Sequence, residues 1–190
     1  MKSYDFLVIG SGVAGLVYAL EVSKKGSVAV VSKGTLDECN TGYAQGGVAA
    51  VMDHADTFEE HIVDSYRTGC ELGKISVIEA IVREGPDRIK NLIDIGASFT
   101  HKNSESIDSD DIALSQKVEN LSLTKEGGHS RKRIVYAADS TGREIINVLI
   151  GKCKQNRNIT FYENHTAIDL ITQHHIMESN GFIPGITCWG

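Results

Sequence analysis

Tyr4-Asp5-Phe6-Leu7-Val8-Ile9-Gly10-Ser11-Gly12-Val13-Ala14-Gly15 is an apolar run that meets three glycines at the spacing G-x-G-x-x-G and then turns helical. Tyr4 to Ile9 is nearly all apolar, which suits a parallel strand buried on both faces. Gly10 permits the tight turn, Gly12 lets phosphate oxygens approach the backbone, and Gly15 lets the following helix lie against the strand. The helix N-terminus then offers free N–H groups and the positive end of its dipole to an anion. The glycines alone are a weak signal, but between a strand and a helix they predict a dinucleotide-binding turn.

Val13, Leu16, Val17 and Leu20 recur at three- and four-residue spacing, so a helix over Val13 to Lys24 is expected to pack this stripe, with Glu21 and Lys24 off it. Gly26 ends the helix, and Val28 to Val31 reads as a second buried strand. This βαβ start has the length of about 30 residues that the fingerprint requires. The fingerprint also expects an acid about 20 residues after the glycines, to hold a ribose. Ser32-Lys33-Gly34 stands there instead. Lys33 either reaches a phosphate or ribose from that strand end or is a solvated lysine. The missing acid argues against a plain NAD dehydrogenase.

A second glycine-bearing stretch follows, Asn40-Thr41-Gly42-Tyr43-Ala44-Gln45-Gly46-Gly47. Its glycines, Gln45 and exposed amides suit a loop pressed against a flat polar ligand. An ordinary surface turn is the alternative, although such turns rarely lead into an apolar tail like Val48-Ala49-Ala50-Val51. From Asp56 the chain is expected to be helical, with Asp56 as cap, Glu59 as its capping-box partner, and Phe58, Ile62 and Tyr66 on one face. A second helix, Ile75 to Arg83, is expected to turn Val77, Ile78, Ile81 and Val82 inward. Pro86 predicts a third, running through Ile89, Leu92 and Ile93 to Gly96.

His101 to Lys117 reads as a surface excursion whose acidic run is a solvated face and no cation site. Order returns at Leu121-Ser122-Leu123-Thr124. Lys125-Glu126-Gly127-Gly128-His129-Ser130-Arg131-Lys132-Arg133 again mixes glycines with titratable groups; on residue chemistry alone it is either a turn with a basic edge or a functional loop. Thr141-Gly142-Arg143-Glu144 opens a helix with Ile145, Val148 and Leu149 packed. Strands are expected at Ile159 to Tyr162 and Thr166 to Thr172. Gly181 to Gly190 reads as a hairpin's return, so the chain is expected to end inside a domain.

The 190 residues suffice for one domain or part of a larger one, and the 41% hydrophobic and 23% charged content is ordinary for a globular protein. A net charge of -6 argues against nucleic acid as the main partner, because duplex binding rests on phosphate neutralisation. No apolar stretch approaches the roughly 18 residues of a membrane span. Met1 to Asp5 leads straight into a strand without signal-peptide architecture, which points to the cytoplasm. Cys39, Cys70, Cys153 and Cys188 are scattered and read as reduced thiols. The histidines show no ligand spacing, and the adjacent His174 and His175 would point to opposite faces of a strand. No metal site is expected.

The chain resembles the N-terminal part of the L-aspartate oxidase family, within the succinate dehydrogenase/fumarate reductase flavoprotein group, over essentially all its residues. The resemblance rests on five blocks in order: Val8 to Gly15, Ser32-Lys33-Gly34, Tyr43 to Ala50, Thr124 to Ser130, and Ala137 to Glu144. It implies an α/β, Rossmann-like FAD-binding domain with a parallel central sheet and an added β-hairpin or meander. Residues 1–190 would form a truncated part of that domain, without the capping and C-terminal helical domains.

The resemblance further implies that Gly10, Ser11, Gly12, Val13, Ala14, Gly15 and Lys33 serve the pyrophosphate and adenosine end of FAD. Asn40, Thr41, Gly42, Tyr43, Ala44, Gln45, Gly46 and Gly47 would run toward the isoalloxazine, and Thr166-Ala167 would hold the adenine side. Relatives that oxidise succinate often carry a flavin-bonded histidine where Asn40 stands, so FAD is expected to be non-covalent. Glu126 is the implied catalytic-site residue, orienting the amine of L-aspartate by a charge-assisted hydrogen bond.

The implied reaction oxidises L-aspartate to iminoaspartate in NAD biosynthesis, with oxygen or fumarate as acceptor and quinolinate synthase as a partner. The arginines and histidines that clamp the substrate carboxylates lie further along the family's chains, so turnover by these 190 residues alone is not expected. Two alternatives stand beside this reading. One is a fumarate reductase or succinate dehydrogenase-type flavoprotein, disfavoured by Asn40 and Glu126; the other is a non-catalytic nucleotide-binding remnant.

Overall fold

The structure, a computed structural model, describes residues 2–102, 113–138, 140–171 and 186–189, the last stretch through its backbone alone. In chain order its elements are β1 (Phe6–Ile9), α1 (Val13–Val22), β2 (Val28–Val31), β3 (Val48–Ala49), α2 (Phe58–Thr68), α3 (Ile75–Asp94) and α4 (Leu114–Glu119). There follow β4 (Leu123–Thr124), β5 (Ile134–Val135), α5 (Thr141–Gln155), β6 (Ile159–Tyr162), β7 (Thr166–Leu170) and β8 (Ile186–Trp189). Two compact units divide the chain: Met1–Tyr43 with Leu149–Gly190, and Ala44–Val148.

The first unit is the α/β part. β1, β2 and β6 form a parallel sheet in the order β1-β2-β6, with Val8 opposite Val30 and Val30 opposite Phe161. All four residues of β2 are buried, as a central strand covered on both faces requires. β7 and β8 form a separate antiparallel pair, with a register shift between Ala167 and Asp169. The expected strand over Thr166 to Thr172 ends at Leu170. Thr172, His174, His175 and residues 181–185 of the expected hairpin return lie outside the described residues.

The stripe on α1 differs from expectation. Leu16, Ala19 and Val22 are buried, while Val13 and Val17 are 39% and 41% exposed. The helix lies so close to β1 that an added Cβ on Gly15 would stand 3.2 Å from the Val8 side chain. Close approach selects small residues, so the packed line runs through Gly15 and Ala19, which a count of large apolar residues overlooks. Cys153, on the last part of α5, is fully buried and its thiol donates to the Leu16 carbonyl at 3.7 Å.

The second unit holds α2, α3, α4 and an antiparallel sheet in the order β3-β5-β4, in which the consecutive strands β4 and β5 pair as a hairpin and β3 joins β5 on its other edge. One continuous helix, α3, replaces the two that Pro86 predicted. A proline ring clashes with the Cβ of the residue before it when that residue is helical. Gly85 has no Cβ, which removes that clash. On α3, Val82, Ile89 and Ile93 are buried and Ile78 is half-buried, but Val77 and Ile81 point outward, 52% and 68% exposed.

The cap of α2 is Thr57, not Asp56: the Thr57 hydroxyl accepts from the Glu60 amide at 3.2 Å. Asp56 is engaged elsewhere, by Arg133. Residues 103–112 of the expected surface excursion lie outside the described residues, but its end is already helical in α4. Ile145 and Leu149 of α5 are buried, as is Ile146, and Val148 is half-buried.

Candidate functional site: a dinucleotide turn and a carboxylate loop

In the first unit the glycine turn has the backbone its spacing predicted. Gly10 adopts φ 103°, open only to glycine without strain. A Cβ at Gly15 would collide with the Gly10 carbonyl oxygen, whereas one at Gly10 would meet nothing within 4 Å. The turn is therefore closed on its helix side and open on the other, a cradle that fits a diphosphate. Gly12 is the N-cap of α1 without a side-chain cap. The Val13 amide donates to the Thr41 hydroxyl at 3.1 Å. Ala14 and Gly15, in the first turn, have amides with no acceptor inside the helix.

Ser11 joins this turn to the end of β2. Its hydroxyl and that of Ser32 are 3.1 Å apart, and both residues are buried. Ser32 also gives its carbonyl to the His165 amide at 2.9 Å, which brings the residue before Thr166 to the same strand end. Glu163 accepts from the Leu36 amide at 3.0 Å, and the Asn164 amide donates to Gly34 at 3.2 Å. The structure thus gathers Gly10 to Gly15, Ser32, Thr41 and the start of β7. Lys33 is exposed beside them, as are Asn40, Tyr43 and Thr166, while Gly42 and Ala167 are half-buried.

The predicted loop Asn40 to Gly47 continues in the second unit from Ala44. The Ala44 carbonyl accepts from the Gly142 amide at 3.0 Å. Gln45 and Gly46 are exposed. Gly47 is tied to β5: a Cβ there would collide with the Ile134 side chain and the Val135 carbonyl. An added Cβ on Gly46 would lie 3.6 Å from both carboxylate oxygens of Glu126. Glu126 therefore projects over the bare backbone of Gly46, within the segment that the family resemblance implies for the flavin.

Residues 5–188 match the family described as FAD binding domain. The chain belongs to that family. As an FAD-binding domain, it takes FAD as its cofactor. The domain is 45% identical over 189 residues to the chloroplastic L-aspartate oxidase of Oryza sativa, covering 100% of this chain and 26% of that protein. It is 39% identical over 180 residues to the L-aspartate oxidase of Acinetobacter baylyi, covering 93% of this chain and 30% of that protein. Among solved structures it is similar to E. coli quinol fumarate reductase, with a TM-score of 0.76, 25% identity, and coverage of 90% of this chain and 27% of that one. The chain spans about a quarter to a third of the length of these relatives.

Sequence reasoning missed how this FAD-binding domain secures the Glu126 loop. Arg133, expected on a basic edge, is fully buried. Its Nε and Nη2 donate to the two oxygens of buried Asp56 at 2.8 and 2.7 Å, and its Nη1 donates to Asp64 Oδ2 at 2.6 Å. Burial opposes ionisation of Asp64, but the Ser130 amide, the Ser130 hydroxyl and Arg133 outweigh it and bring the carboxyl down to about 2. His61 is buried beside His129, with ring centroids 5.6 Å apart. Burial, then the charges of Arg133 and His129, push the His61 imidazole below its ordinary value against the pull of Asp56 and Asp64. No local sequence signal pairs Arg133 with acids 69 and 77 residues away.

Proposed function

We propose that this chain is the N-terminal part of the FAD-binding domain of an L-aspartate oxidase, whose remaining domains hold the clamp for the substrate carboxylates. The observation that carries the reading is the Glu126 carboxylate at van der Waals distance from where a Gly46 side chain would begin. Aspartate differs from succinate by one ammonium group. A fixed carboxylate beside the substrate Cα favours that cation by charge-assisted hydrogen bonding and gives succinate nothing.

Gly10 to Gly15, Ser11 and Lys33 bind the diphosphate and adenosine end, Asn40 to Gly47 follow the chain of the cofactor toward its ring, and Thr166-Ala167 border the adenine. FAD, when bound, supplies the acceptor for the hydride leaving the substrate Cα. Glu126 orients the amine so that this hydrogen faces the ring, and does not itself remove the decisive proton. Oxygen or fumarate takes the electrons in turn. The unstable imine is passed to quinolinate synthase, and the protein works in the cytoplasm. Plastid recovery of the protein in cell fractionation would overturn that location.

Asn40 offers no imidazole nitrogen, so the cofactor is held without a covalent bond. Acid precipitation of the loaded protein is expected to leave the yellow colour in the supernatant; colour in the pellet overturns this point. The substrate reading is tested by Glu126→Gln in the complete protein, which is expected to lower aspartate oxidation at least about tenfold more than fumarate reduction. Equal losses would favour the fumarate reductase-type reading, which the likeness to E. coli quinol fumarate reductase keeps in view.

A further inference from the structure

We propose that one polar face of α2 positions the Glu126 carboxylate, with Asp64 as its central positioning residue. The inference rests on the L-aspartate oxidase reading and deepens it. Glu60, Asp64 and Thr68 follow one another at four-residue steps, so they stack along one face of α2. Each grips a successive part of the loop 125–133. Glu60 takes Arg131 through two bonds, of 2.9 and 3.0 Å. Asp64 Oδ2 accepts from the Ser130 amide and the Ser130 hydroxyl, both at 2.7 Å, as well as from Arg133. The Thr68 hydroxyl donates to the Gly128 carbonyl at 3.3 Å.

The loop is closed at its base and in its middle. The Arg133 amide donates to the Thr124 carbonyl at 3.1 Å, and the His129 amide donates to the Glu126 carbonyl at 3.3 Å. Gly128 lies so flat on the helix that a Cβ there would stand 2.7 Å from the Thr68 hydroxyl oxygen. Glu126 is therefore the first residue of a turn whose next residues are fixed to a rigid helix, and its carboxylate faces Gly46. A side chain that must meet one ammonium group needs such support, because a displacement of about 1 Å already weakens selectivity. Asp64 ties together the loop backbone, a loop side chain and the buried Arg133, so its removal loosens all three.

The test uses the complete FAD-loaded protein without oxygen, with half-saturation read from the concentration dependence of the flavin bleaching rate for L-aspartate and from the change in flavin absorbance for succinate. Unaltered protein is expected to bind L-aspartate more tightly. Asp64→Ala is expected to weaken L-aspartate about tenfold and succinate by less than about twofold, and Asp64→Asn, which keeps an acceptor for the Ser130 amide, to recover part of the loss. Combined with Glu126→Gln, Asp64→Ala should cost nothing further, because both act through one carboxylate. In the FAD-free chain, exchange of the Ser130 amide hydrogen should quicken in Asp64→Ala. Should that variant fail to fold, Ser130→Ala removes a single bond and is expected to give the same selective loss, about threefold. Equal losses for the two ligands, losses that add to those of Glu126→Gln, or unchanged Ser130 exchange would overturn the inference while the oxidase reading stands. Unaltered protein that does not prefer L-aspartate over succinate would overturn the reading itself.

Discussion

At the scale of single residues, the second unit concentrates its electrostatics on Asp64 and His61, and both carry a pH dependence whose sign follows from their surroundings. The folded chain holds the Asp64 carboxyl at about 2 against an ordinary 3.8. The unfolded chain therefore binds this proton first, so the stabilisation is complete above about pH 3.8 and is lost as pH falls toward 2. The difference amounts to about 2 kcal/mol. His61 is also depressed, below its ordinary 6.5. Its contribution is complete above that value and begins to erode at lower pH. Urea titrations of the protein between pH 7 and pH 2 should show stability declining in two stages, and Asp64→Asn should remove the more acidic one. Gly128 is a second test at this scale. Its φ of 84° and the 2.7 Å approach to Thr68 leave no room for a methyl group. Gly128→Ala is expected to cost about 1–3 kcal/mol, read as a lower urea midpoint at unchanged slope.

At the scale of elements, the βαβ start was legible because its signals are local. The apolar runs of β1 and β2 and the three glycines between them fix strand, turn and helix without help from distant residues. The strands β3, β4 and β5 are two residues each. Such lengths carry no alternation, and their pairing is decided by partners far along the chain. The cap of α2 failed for a related reason: Asp56 and Thr57 are both good caps, and the choice falls to Arg133, 77 residues away. Glu126 was singled out through resemblance, whereas Glu60, Asp64 and Thr68, which hold its loop, belong to no motif, and their partners lie 60 to 71 residues away.

The interrupted reading of α3 came from a sound rule applied without its exception. Pro86 still removes one helical hydrogen bond, so Pro86→Ala is expected to stabilise the protein by about 1–3 kcal/mol in chemical denaturation. Gly85→Ala alone should destabilise, since its Cβ would meet the proline ring. In the Pro86→Ala background the same change is expected to be neutral or favourable, for its Cβ would lie an ordinary 3.5 Å from that of Ala50. Simple additivity of the two changes would refute this account of the helix.

For the molecule as a whole, cofactor and stability are linked. A ligand that binds only the folded chain stabilises it by mass action, and FAD at a hundred times its Kd should add about 2.7 kcal/mol. A rise in Tm with FAD concentration checks this, and Gly15→Ala should abolish the rise because its Cβ collides with the Gly10 carbonyl. Among the described residues no helix is long and apolar enough to cross a membrane.

Burial raises the Cys153 thiol to about 11, whereas Cys70 is exposed and Cys39 partly so. An alkylating reagent at neutral pH will thus mark exposed Cys70 first and reach Cys153 only when α5 lifts from α1. The chain carries its own clock for the opening of its interior, readable by mass spectrometry from the alkylation of a native thiol without an engineered probe.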